Sequence, residues 1–64
     1  MLYHWNFNMN EIKEQRIELG LTQKEAADIL MVNISSWQRY ESGQIKMIPI
    51  RKSIWHNYYI ENKP

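Results

Sequence analysis

The chain has no cysteine among its 64 residues, which excludes disulfides and thiolate metal sites as staples. Its two histidines, His4 and His56, lie far apart, and no ligand spacing completes a zinc site around either. Glycine and proline number two each. Gly20, Gly43 and Pro49 fall where helix ends and starts are expected. No apolar run approaches the ~20 residues of a membrane span, and no signal peptide is visible. The expectation is a soluble, cytoplasmic protein without a membrane partner. Also missing are a nucleophile–base pair, paired carboxylates, a glycine-rich phosphate loop and a metal cluster. No enzyme, catalytic residue, metal, cofactor or small-molecule effector is therefore expected. A chain this short buries only about 60% of its unfolded surface, so residues 1–64 form one small domain, and association into a dimer would add stability.

The net charge of +1 conceals a polarity. Residues 33–64 carry Arg39, Lys46, Arg51, Lys52 and Lys63 against Glu41 and Glu61, a balance of +3. Residues 1–32 carry Lys13, Arg16 and Lys24 against Glu11, Glu14, Glu18, Glu25 and Asp28, a balance of −2. Such asymmetry permits one phosphate-facing surface.

Residues 22–43 hold the strongest local pattern. Thr22 and Glu25 make a capping box, Asn33 is a second N-cap, and Gly43 is a stop where the left-handed conformation is cheap. Two short capped helices, Gln23 to Leu30 and about Ile34 to Ser42, predict a helix-turn-helix. In the first, Ala26, Ala27 and Leu30 point inward. The turn lacks the usual glycine: Met31 stands where positive φ is expected, at a cost of about 1 kcal/mol, and a looser turn would avoid that cost. At about 100° per residue, Ile34, Gln38, Ser42, Ser35 and Arg39 share an arc of roughly 140° on the second helix. Trp37, Tyr40 and Glu41 lie opposite. One face suits burial; the other suits a major groove.

A first helix is expected from the N-cap Asn10 to about Leu19, with Ile12, Gln15, Arg16 and Leu19 on one face and Gly20 at its end. Two polar residues in that stripe are unusual for a core face. Pro49 opens a last helix (residues 49–60), whose apolar stripe reads Ile50, Ile54 and Tyr58, with Trp55 and Tyr59 beside it. In residues 1–8, Tyr3, Trp5 and Phe7 alternate as on an extended arm, which would serve either as a lid on the core or as an intersubunit contact.

Arg16-x-x-x-Gly20-Leu21-Thr22-Gln23, the alanine pair, and Trp37-Gln38-Arg39-Tyr40-Glu41-Ser42-Gly43 together resemble the Cro/phage-repressor (XRE) helix-turn-helix family. The likeness covers about residues 12–48. The second motif is also similar to small phage and plasmid regulators, including autorepressors found beside anti-CRISPR genes. The resemblance implies an all-α, compact four- to five-helix lambda-repressor-like DNA-binding domain with a short N-terminal arm. It implies an ion pair between Arg16 and Glu41. The chain departs from the family at Gln15, Ala26 and Met31, where an apolar residue, leucine and glycine are usual, so Trp37, Trp55 or the aromatic arm must refill the core.

Family position and helical angle together assign Asn33, Ile34, Ser35, Gln38 and Arg39 to base edges. Thr22, Gln23, Lys24, Ser42 and Lys46 are assigned to phosphates, with Arg51 or Lys52 as further candidates. Tyr3, Trp5, Trp55, Tyr58 and Tyr59 are assigned to a dimer seam. The function expected is a sequence-specific repressor binding palindromic double-stranded DNA as a homodimer. The alternative is an antitoxin-like or adaptor module using the same fold.

Overall fold

A computed structural model describes residues 9–64 of the chain. Tyr3, Trp5 and the rest of the expected arm lie outside the described residues. Four helices follow in order: α1 (Met9–Glu18), α2 (Gln23–Ile29), α3 (Ile34–Ser42) and α4 (Pro49–Asn62). Among the described residues there is no strand, and no helix is long and apolar enough to cross a membrane. The fold is the expected all-α helix-turn-helix arrangement. Because α1 begins at Met9, Asn10 lies inside its first turn and is not the cap.

The helix ends are set by local chemistry. Thr22 Oγ1 accepts from the Glu25 amide at 3.1 Å while Glu25 Oε1 accepts from the Thr22 amide at 2.8 Å, closing a capping box at α2. Asn33 Oδ1 accepts from the Ser36 amide at 2.9 Å and caps α3. Three helices end in one device, the Schellman pair of backbone hydrogen bonds, each around a residue of positive φ. Gly20 (φ 74°) closes α1 through Leu21 N to Arg16 O and Gly20 N to Ile17 O. Gly43 (φ 82°) closes α3 through Gln44 N to Arg39 O and Gly43 N to Tyr40 O. Met31 (φ 59°) closes α2 in the same way, through Val32 N to Ala27 O and Met31 N to Asp28 O, both at 3.0 Å. The turn is tight, not loosened, and Met31 carries the strain.

Ala26, Ala27, Leu30, Trp37, Tyr40, Met47 and Trp55 form the core, with Ile12, Leu19, Leu21, Ile29 and Val32 packed around it. The alanines leave room beside the wholly buried Trp37. Trp55 lies against Trp37 at 4.9 Å between ring centroids, and Tyr40 meets the same ring edge-on at 6.4 Å. Here the dimer assignment of Trp55 is overturned: it is 3% exposed and packs on Trp37 inside the core. Tyr58 stacks on Trp55 at 6.3 Å, and the Tyr59 hydroxyl donates to Glu18 Oε1 at 2.6 Å. Both are half-buried against their own chain. The apolar stripe of α4 is likewise rotated from expectation, with Ile50 62% and Ile54 42% exposed.

Candidate nucleic-acid interface

Helix α3 is held at its C-terminal end by one carboxylate. Arg16 Nε donates to Glu41 Oε2 at 2.6 Å, and Arg16 Nη1 donates to the Leu21 carbonyl at 2.9 Å. The Trp37 indole N–H donates to the same Oε2. Gln23 Nε2 donates to Oε1 at 3.0 Å. The Arg16 and Glu41 side chains are 12% and 7% exposed, so the pair joins α1 to α3 largely out of water. Burial raises the Glu41 pKa, but hydrogen bonds from Arg16, Gln23 and Trp37 and the Arg16 charge outweigh it, leaving the value below the ordinary 4.5. The geometry therefore holds a carboxylate that stays ionised near neutrality and accepts from three side chains.

With Trp37 and Tyr40 buried, α3 turns Ile34, Ser35, Gln38, Arg39 and Ser42 outward, all of them exposed. Ser35, Gln38, Arg39 and Ser42 line a shallow cavity of about 400 Å³ together with Gln44. Gln44 was not singled out in the sequence because it lies beyond the helix, where angular sorting does not reach. Asn33 flanks this face, its Oδ1 already engaged as the cap and its amide NH₂ still available. The Ser42 hydroxyl donates to the Arg39 carbonyl at 3.2 Å, so its one proton is used within the helix and not offered to a phosphate. Lys46 is exposed just beyond.

At the start of α2, Thr22 is exposed and engaged in its capping box. Lys24 is exposed and pairs with Asp28 at 3.5 Å. Gln23, assigned to phosphate from the sequence, is engaged within the chain. Its Nε2 faces Glu41, and its Oε1 accepts from Gln38 Nε2 at 3.1 Å. Both ends of that amide are engaged by α3.

Gln15 is the other residue whose role was not legible. Its Oε1 accepts from the Trp55 indole N–H at 2.8 Å, so the polar intrusion in the α1 stripe exists to satisfy a buried donor on α4. No buried side-chain nitrogen or oxygen lacks a partner among the described residues.

A family model described as helix-turn-helix matches residues 12–52. That family is one of DNA-binding domains, not of enzymes. Over 38 residues the chain is 45% identical to the type II methyltransferase M.MspI of Moraxella sp, a likeness covering 59% of the chain. The matched part is 9% of that enzyme's length. No solved structure matches the chain.

Proposed function

The chain belongs to the helix-turn-helix family, and from that premise we propose that it is a sequence-specific regulator of transcription that binds double-stranded DNA. The observation that carries this reading is the outward face of α3. Its short polar side chains and Arg39 surround an open cavity, while the aromatic face behind them is locked into the core. Ile34, Ser35, Gln38, Arg39 and the Asn33 amide are the base-reading set. Thr22, Lys24 and Lys46 stand at its edges as phosphate contacts, and Arg39 to guanine is the pairing best suited to specificity. The likeness to the methyltransferase spans too little of that enzyme to suggest methyl transfer.

The regulator acts as a homodimer on an inverted repeat and represses by occupying the site. Two α3 helices then enter successive major grooves, with half-site centres about 34–36 Å apart. Selection of sites from random DNA tests this directly. Enrichment of a palindrome with half-sites one helical turn apart is expected, and enrichment of no DNA sequence would overturn it.

The exposed Ile50 and Ile54 on α4 favour a second reading, an antitoxin-like or adaptor module whose main partner is a protein. Light scattering on a sizing column, run beside a gel shift, separates the two, because an adaptor need not retard DNA.

A further inference from the structure

We propose that Gln23 is a positioning residue that fixes the hydrogen-bond polarity of Gln38, so that Gln38 selects a base presenting an amino donor in the major groove, adenine first. The inference rests on the DNA-binding reading above and sharpens it. It begins at Glu41, whose ionised carboxylate can only accept. Arg16 and Trp37 hold that carboxylate on its other oxygen. Gln23 must therefore turn its NH₂ to Glu41, as the 3.0 Å contact shows, and its carbonyl oxygen points away. That oxygen can only accept, so Gln38 must turn its own NH₂ towards it, at 3.1 Å. Reversing either amide would set oxygen against oxygen. The polarity passes from Glu41 through two neutral side chains to the exposed face of α3.

What Gln38 then offers outward is its carbonyl oxygen and its second N–H. In the major groove adenine presents a donor at N6 beside an acceptor at N7, which matches that pair. Cytosine presents the N4 donor alone. Guanine offers two acceptors, and thymine an acceptor and a methyl group, so each opposes the Gln38 oxygen. An unanchored glutamine could rotate to suit guanine. This one is held against doing so.

The test uses the full chain and the site obtained by selection, with all four bases substituted in turn at each half-site position. The wild-type protein should prefer adenine at one position over guanine and thymine by about 5- to 150-fold, corresponding to one bidentate pair. Gln38→Ala should abolish that preference. Gln23→Ala should reduce it at the same position while leaving affinity for random DNA unchanged. The double variant should match Gln38→Ala there, since the two residues act as one unit. A loss on Gln23→Ala that is equal for all four bases would identify a phosphate contact and overturn the inference, as would a wild-type preference for guanine or thymine at the Gln38 position. Gln23→Met, of similar size without the amide, repeats the test should the alanine variant fold poorly, and the wild-type profile needs no variant. Failure of the wild-type chain to bind any DNA would remove the functional reading itself. Binding with a uniform Gln23 effect removes only this inference.

Discussion

Arg39 and Lys46 are both exposed cations near α3, yet they make different expected contributions. Arg39→Ala should cost about 1–3 kcal/mol on the operator and relax preference at one base pair. Lys46→Ala should weaken every sequence and flatten the salt slope by roughly one unit. Titrations on operator and random DNA at several salt concentrations separate them; equal losses on both DNAs for Arg39→Ala would misplace it. Beneath that surface, Arg16→Met strands Glu41 with two neutral donors. The expected loss is about 3 kcal/mol of stability, the lower end for a buried pair because part of Arg16 still reaches water. An unchanged melting temperature would refute this. The same carboxylate makes stability depend on acid. Its folded pKa lies below the ordinary 4.5, so its contribution is complete above that value and is lost as pH falls through the lower one. Glu41→Gln should shrink that acid-induced drop in melting temperature.

The helices show how one closing device tolerates different residues. Gly20 and Gly43 adopt positive φ at little cost, whereas Met31 does so at φ 59° with its side chain 89% exposed. A left-handed non-glycine residue costs about 1–2 kcal/mol, and glycine returns about 0.4–1 kcal/mol through the freer unfolded chain. Met31→Gly should therefore stabilise by up to about 1 kcal/mol. Thermal unfolding should shift upward by at most roughly 4–8 °C for a domain this small; a lower transition would mean that the Met31 side chain has a contact worth more than the strain. The α2 and α3 helices were legible because their caps are local, fixed by residues three apart. The face of α4 was not. Its apolar residues lie all around the cylinder, so Trp55 could be assigned inward only by its partners, Trp37 and Gln15.

At the scale of the molecule, burial of Trp55 removes it from the expected dimer seam, and we propose the exposed isoleucines of α4 in its place. Ile50 and Ile54 lie one turn apart on the exposed side of that helix. Ile54→Lys should dissociate the proposed homodimer while preserving the monomer fold, because the side chain lies outside the core. Sedimentation gives the mass and circular dichroism the fold. A variant that remains dimeric would place the seam elsewhere.

The sequence by itself determined the fold class, through its family resemblance, and from its own residues the capped helix pair and the division of α3 into a buried aromatic face and a polar one. The caps and faces follow from spacings of one to four residues, over which backbone geometry is nearly invariant. Tertiary structure alone decided what crosses between helices. It placed Gln15 on Trp55 and joined Gln23 to Glu41 and Gln38. A polar side chain has several ways to satisfy its hydrogen bonds, and only the packed arrangement selects among them.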